Sequence, residues 1–388
     1  PSGFGEPLAR RQPLAGAAVL VGVGASSAAL RMVEAVRLLG EQGIATEVII
    51  GKGAERFLGP DAVRAGAEPL MLDALNLLLL APCGPEFIRQ LVASPSGDPL
   101  LELAARTTAP TTVLVPHLTR GEWEDRTVQA AVITLRSRSV IVLGPPHELP
   151  VGAVDTSGLF DPRLLSALIR AILGREIGDL RGRHLVISAG GNKESIDAVR
   201  WISNRSSGKQ GHAIAEAARD RGAAVTLVTC APESAPCGLE RVVVVESHAQ
   251  LRAAVASASR EADAYIAAAA VADFTPTQLV TGKLHRQGGE EISIRLRPTE
   301  DILAGLPTRP GFVKVAFAAE AEGSSAANQA KALKKLERKG ASMIVLNDVL
   351  ASDAGFGKDT NRISIIEASG RVESYPAPGE AALAKYDV

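Results

Sequence analysis

Short apolar runs alternate with stretches whose apolar positions recur every third or fourth residue, from one end of the chain to the other. The runs read as strands buried on both faces, and the periodic stretches as amphipathic helices laid against them. That alternation predicts an α/β protein of two Rossmann-like, doubly wound domains with mostly parallel sheets. In the first series, strands are expected over residues 17–23, 46–50, 75–80, 112–115 and 140–143, with helices over 27–42 and 122–135. A segment rich in Pro, Gly and Asp at 144–160 leads into a helix near 162–173, and charged residues 175–183 read as a linker. The boundary falls near Gly178, which gives domains of residues 1–177 and 178–388. The second series places strands at 184–188, 224–228, 242–245, 264–270, 313–318 and 343–346, and helices at 211–221, 250–260 and 326–339. Between Asp273 and Arg297 the helical signal lapses into a polar, Gly-containing segment. It reads as a mobile loop or a hairpin carrying Lys283, His285 and Arg286.

Composition narrows the classes of partner. A chain of 388 residues is long enough for two cores of ordinary size. Its 43 acidic and 42 basic side chains nearly balance, so no whole-chain field attracts nucleic acid or an anionic membrane. Any phosphate affinity has to be local. Cys83, Cys230 and Cys237 are an odd set without paired metal-ligand spacing, which suits a reducing compartment and a cytoplasmic protein. The longest apolar runs, 75–82 and 265–271, are too short to span a bilayer and follow no basic amino-terminal region. The chain begins at Pro1 without a methionine, which reads as a trimmed start.

Candidate chemistry concentrates in the second half. Asn204, Arg205, Ser206, Ser207 and Lys209 stand just before the amphipathic stretch 211–221, so that helix start reads as an anion site. Gly190 and Gly191 follow the first strand of the domain, where parallel sheets bind ligands. Two clusters of small residues fall at other strand ends, one with Ala269, Ala270 and Asp273 and one with Phe317, Ala318 and Glu320. Small side chains there let a ligand approach the backbone, although they also serve helix packing. Asp273 and Glu320 taken singly read equally as helix caps or solvated carboxylates. With Asn347 and Asp348 at a third strand end, they are expected to converge on one cleft.

The motifs around these residues resemble those of bacterial phosphopantothenoylcysteine synthetase. They run in that family's order from Ser188-Ala189-Gly190-Gly191 and Glu194-x-Ile196-Asp197, through Val199-Arg200-x-Ile202-Ser203-Asn204-Arg205-Ser206-Ser207-Gly208-Lys209 and Ala269 to Phe274. Lys283, Asp301-Ile302-Leu303, Phe317 to Glu320 and Asn347-Asp348-Val349 complete them. The resemblance covers roughly residues 182 to 370, and its motifs are long enough to be specific. It implies that the carboxylate of 4'-phosphopantothenate attacks the α-phosphate of CTP, with Mg²⁺, and that cysteine then displaces CMP from the acyl-cytidylate. It also implies a dimeric ligase domain. By the same resemblance Lys283 is the lysine of the mobile loop acting in cytidylyl transfer. Asn204 holds the activated intermediate, and Arg200 is the arginine beside it. Asp273, Phe317 and Lys339 resemble positions that contact the cytidine or its phosphates. Alone, Arg200, Asn204 and Lys283 would read as a surface ion pair, a helix cap and a solvated lysine. The metal ligands are unassigned. The chain departs from the pattern at Asn192, where threonine is usual, at Ala198, where proline is usual, and at Leu284-His285-Arg286, which replaces an apolar-Lys-Lys run.

In that family the synthetase usually follows a flavin-dependent phosphopantothenoylcysteine decarboxylase, and residues 19–23, 36–39, Trp123, 128–130 and 135–136 resemble that enzyme. Its working parts are replaced. Gly24-Ala25-Ser26-Ser27 stands where a Gly-rich flavin-phosphate turn is usual, no histidine precedes His117, and Pro116-His117-Leu118-Thr119 replaces the substrate motif. The cysteine-bearing flap is missing from 144–160. His117 has the pKa range of an acid or base but stands where the family has alanine. Cys83 reads as a small buried residue. The expectation is an inert decarboxylase-like domain without FMN, joined to a ligase. The alternatives are a CTP-dependent amide ligase with a different acid or amine, a bifunctional synthetase/decarboxylase, or a nucleotide-binding protein without turnover.

Overall fold

The computed structural model describes residues 12–58, 70–93, 97–107, 109–144, 160–285, 291–320, 326–348, 353–354, 357–377 and 379–388. The chain divides into two compact units, Pro1–Asp179 and Leu180–Val388. In unit 1 the elements run β1 (Ala18–Val23), α1 (Ala29–Gly40), β2 (Ala45–Ile50), β3 (Leu77–Cys83), α2 (Pro85–Val92), α3 (Pro99–Arg106), β4 (Thr111–Pro116), α4 (Arg120–Glu124), α5 (Arg126–Ser137), β5 (Ile141–Val142) and α6 (Pro162–Ile177). Its strands form one parallel sheet ordered β2-β1-β3-β4-β5. Strand alternation sorts the core. Val19, Val21, Leu77 and Leu79 face the cluster that includes Met32 and Leu39 of α1 and Ile169 of α6. Leu20, Leu78 and Leu80 face Val128, Val132 and Leu135 of α5. Because both faces are covered, the strands are nearly all apolar.

Unit 2 continues with β6 (His184–Ala189), β7 (Lys193–Ser195), β8 (Trp201–Ser203), α7 (Lys209–Asp220), β9 (Ala224–Thr229), β10 (Arg241–Val244), α8 (His248–Ala258), β11 (Ala264–Ala267), β12 (Phe274–Pro276) and β13 (Leu296–Pro298). It closes with β14 (Val313–Glu320), α9 (Ala326–Lys339), β15 (Met343–Asp348), β16 (Thr360–Asn361), β17 (Ile363–Glu367), β18 (Val372–Tyr375) and β19 (Leu383–Ala384). The main sheet is ordered β10-β9-β6-β11-β14-β15-β17-β18. The first six strands are parallel, while β17 and β18 extend the sheet antiparallel. Two hairpins, β7–β8 and β12–β13, stand outside it.

Several boundaries differ from those the periodicity predicts. The helix expected over 122–135 is two, because Asp125 turns extended and its carboxylate caps the second by accepting from the N–H groups of Thr127 and Val128. The helix near 162–173 runs on to Ile177, through the start of the expected linker. The strand expected over 264–270 stops at Ala267, and Ala270 makes only an isolated bridge with Gly191. The segment 273–297 is a hairpin at its base, Phe274 pairing with Pro298, while Arg286 lies outside the described residues.

The carboxy-terminal residues return to α7. Tyr386 donates its hydroxyl to buried Asp220 at 2.7 Å, and Asp220 also holds buried Arg219 at 2.6 Å. Removing one donor from such a network costs roughly 1–2 kcal/mol. Tyr386→Phe is therefore expected to lower the chemical-denaturation midpoint of unit 2 without changing its slope.

Candidate active site

The site is built where β6 and β11 leave the sheet. Gly190 adopts φ +85°, a left-handed conformation costly for other residues, and it accepts a hydrogen bond from the Ala270 N–H at 2.8 Å. At Gly191 a β-carbon would lie 2.6 Å from the Asn204 carbonyl oxygen, so only glycine fits. Asn204 follows β8 and donates its carboxamide N–H to the carbonyls of Val271 at 2.9 Å and Ala270 at 3.3 Å. Asn192, fully buried, accepts from the Ala272 N–H at 2.7 Å and donates to Glu194 at 2.7 Å. Three segments of backbone are thus locked together at one strand end.

Over this junction opens a cavity of about 850 Å³. Of the residues singled out in the sequence, Asn204, Ser206, Ser207 and Asp273 line it. So do Ala269, Ala270, Phe317 and Lys339, and Asn347 from the third strand end. The side chain of Glu320 lies outside the description. Gly190 and Gly191 shape the floor but are not among the lining residues, and neither are Arg200 or Lys283. Those two stand together elsewhere. Arg200 is 2.5 Å from Asp197 and donates to the Leu284 carbonyl at 3.1 Å, which places it beside the segment that carries Lys283. Lys283 is exposed and has no polar partner among the described residues.

Cations reach the cavity from two elements. At the start of α7, the cap is Gly208 at φ +76°, and Ser206 Oγ accepts from its N–H at 3.4 Å. Lys209 there pairs with Asp359 at 2.6 Å, and Lys385, mostly buried, donates to the Lys358 carbonyl at 2.7 Å. Burial and the nearby Lys209 charge push the Lys385 ammonium below its ordinary range. Arg205 lines the same end without a polar partner among the described residues. From α9 come Lys335, Arg338 and Lys339, and Lys339 holds Asp301 at 2.6 Å. Burial works against ionisation of Asp301, but Lys339 and the Ala304 N–H outweigh it and keep that carboxyl below its usual range. Among the described residues no group of three His, Cys, Asp or Glu side chains is placed to hold a metal ion.

A family model described as the DNA/pantothenate metabolism flavoprotein C-terminal domain matches residues 180–386. The coenzyme A biosynthesis bifunctional protein CoaBC of Vibrio parahaemolyticus is 31% identical over 386 residues, covering 93% of this chain and 94% of the relative. This chain belongs to the CoaBC family. The CoaBC protein of Mycobacterium tuberculosis is 33% identical over 383 residues, covering 91% and 90%. A solved C-terminal domain of a CoaBC protein is 32% identical, covers 53% of this chain and 90% of its own, and superposes with a TM-score of 0.43.

Several residues that the structure brings to the cavity or to the segment of Lys283 carry little signal of their own in the sequence. Asp301 and Asp197 belong to quoted motifs yet gained no role from spacing, and Lys385 lies in a tail with no motif at all. His212, in the first turn of α7, is 5% exposed and bonds Thr229 and Ser234, each at 3.0 Å. Burial depresses its pKa from the usual 6.5. Because the folded value is the lower one, its contribution to stability is present above about pH 6.5 and is lost as pH falls through the depressed value. Denaturation of unit 2 across pH 5 to 8 is expected to show this slope, and His212→Gln is expected to flatten it.

Proposed function

We propose that this chain is an enzyme of coenzyme A biosynthesis. Its second unit joins 4'-phosphopantothenate and L-cysteine in a CTP-dependent reaction, as phosphopantothenate-cysteine ligase. The observation that carries the reading is the cavity: a phenylalanine, a carboxamide and cations from two separate elements surround one space large enough for a nucleotide and a second anion. In the first step a carboxylate oxygen of the acid attacks the α-phosphorus of CTP, and the bond to the β-phosphate oxygen breaks to release pyrophosphate. In the second, the cysteine nitrogen attacks the acyl carbon, loses a proton, and CMP departs with the carbon–oxygen bonding pair. Phosphoryl-type transfer depends mainly on positioning and charge compensation. Lys283 would supply charge at the transferring phosphate and Arg200 would hold an acidic oxygen in its fork. Asn204, fixed by two carbonyls, would orient the acyl-cytidylate without protonating it. Phe317 would pack against the base, and Lys339 would exchange Asp301 for a phosphate. Mg²⁺ would enter on the triphosphate, which binds it largely through phosphate oxygens and water.

For unit 1 we propose a retained fold without decarboxylase chemistry and without FMN. Supporting this, Ser26 of the turn that stands where a flavin-phosphate turn is usual is engaged within the protein, its Oγ 2.7 Å from His117 Nδ1. Cys83 is buried, its thiol pushed up in pKa by that burial. Residues 145–159, within the stretch from which the cysteine-bearing flap is missing in the sequence, lie outside the described residues. Dimerisation of unit 2 is supported by exposed apolar side chains on the two outer hairpins, Trp201 and Phe274 at 52% and 50% exposure with Leu296 at 42%. No helix among the described residues is long and apolar enough to cross a membrane, and the cysteines are free, which is compatible with a cytoplasmic enzyme.

Purified protein given CTP, Mg²⁺, 4'-phosphopantothenate and cysteine is expected to release CMP and pyrophosphate, and absence of both would sink the proposal. Substituting other amines or acids in the same assay separates the ligase from a relative acting on different substrates. Lys283→Ala is expected to lower kcat about a hundredfold or more. Lys339→Ala should chiefly raise the KM for CTP. A flavin absorbance band in the purified protein, or carbon dioxide release from phosphopantothenoylcysteine, would overturn the reading of unit 1.

A further inference from the structure

The turn of the β7–β8 hairpin is clasped to the segment that carries Lys283, and one carboxylate does most of the clasping. Asp197 is 3% exposed. Its Oδ1 accepts from the N–H groups of Val199 at 2.8 Å and Arg200 at 2.7 Å, which closes the turn. Its Oδ2 accepts from the Arg200 guanidinium at 2.5 Å and from the Leu284 N–H at 3.0 Å, across 87 residues of sequence. Around it the Val280 N–H donates to the Ile196 carbonyl at 3.2 Å and the Ala198 N–H to the Gly282 carbonyl at 3.1 Å. Both neighbours of Lys283 are therefore held by the hairpin. A proline at position 198 would lack the N–H that reaches Gly282.

We propose that Asp197 is a positioning residue: its Oδ2 fixes Arg200 and the backbone beside Lys283 relative to one another, so that the two cations act as one preset pair. The proposal rests on the ligase reading for what that pair acts on, but the clasp itself does not depend on it. The division of labour between the two oxygens makes this specific, since one oxygen builds the turn and the other reaches the partner segment. Burial works to raise the Asp197 carboxyl, yet the three backbone N–H groups and Arg200 outweigh it and hold it at about 2. The clasp is accordingly ionised throughout the neutral range. An exposed lysine on a free loop would sample many positions, and misplacement by about 1 Å can cost about a hundredfold in rate.

Asp197→Asn in the full chain tests this, because the carboxamide oxygen can keep the turn while its NH₂ meets two donors, Leu284 N–H and Arg200. Hydrogen exchange at the amides of residues 280–285, measured without substrate, is expected to speed at least tenfold while the melting temperature changes little. In pyrophosphate–CTP exchange, kcat is expected to fall about ten- to a hundredfold with the KM for CTP within about threefold. Placed on Lys283→Ala, the substitution should add clearly less than it costs the wild-type chain, since only Arg200 is then left to position. Unchanged amide exchange, or a full additional loss on Lys283→Ala, would overturn the proposal. If the wild-type chain shows no CTP turnover, the ligase reading fails, while the amide exchange still decides the clasp. Should Asp197→Asn not fold, Ala198→Pro removes the N–H that reaches Gly282 and restricts the backbone at 197 and 198; it is expected to speed the same amides, and no change there counts against the clasp.

Discussion

Close approach of three backbone segments governs unit 2. Residues 190–192, the Asn204 carbonyl and residues 270–272 meet closely, and Gly191 permits it because a β-carbon there would lie 2.6 Å from the Asn204 carbonyl oxygen. The polar groups brought into that junction must then be paired, because an unpaired buried amide costs about 1–3 kcal/mol. Asn192 resolves this by accepting from Ala272 and donating to Glu194, which in turn accepts from the His248 N–H at 2.7 Å. The carboxamide at 192 is thus an internal connector between the strand ends and α8, and Asn204 is aimed by two carbonyls of the same junction.

Charge in the cavity is arranged on a different principle. Lys209 and Lys339 rest against Asp359 and Asp301, and these pairs keep substantial exposure on at least one partner. Ion pairs of that kind contribute little, about 0–1 kcal/mol, so an incoming phosphate can take over the lysine at small cost. Arg200 is held differently, by a carboxylate whose side chain is fully buried and also anchors backbone. The former pairs are suited to exchange with a ligand and the latter to staying put.

Much of this architecture was legible before any coordinates. Strand-helix alternation fixes the two sheets because parallel strands covered on both faces must be continuously apolar. The glycine pair, Asn204 and the small residues near 270 declare themselves by position at strand ends. Where the pattern misled, a local polar group had won over periodicity: Asp125 caps a new helix inside a stretch that still reads as one. The antiparallel β17 and β18 gave no clear signal because a strand's direction leaves no mark on its own composition. Separation of Lys283 and Arg200 from the cavity lining could not be read at all, since it is set by contacts between residues more than eighty positions apart.

The return of the last residues to α7 bears on the order in which the unit can be completed. Lys209 with Asp359, Gln210 with Asn361 and Lys385, and Asp220 with Tyr386 are pairs separated by 150 to 175 positions. Contacts of such sequence separation form late, after the loop entropy between them has been overcome. During synthesis α7 can pack on β6 and β9 long before its cationic end meets its partners. A chain translated only as far as β15 would therefore carry α7 packed in place while the cavity beside it still lacked Asp359, Asn361 and Lys385 against Lys209 and Gln210.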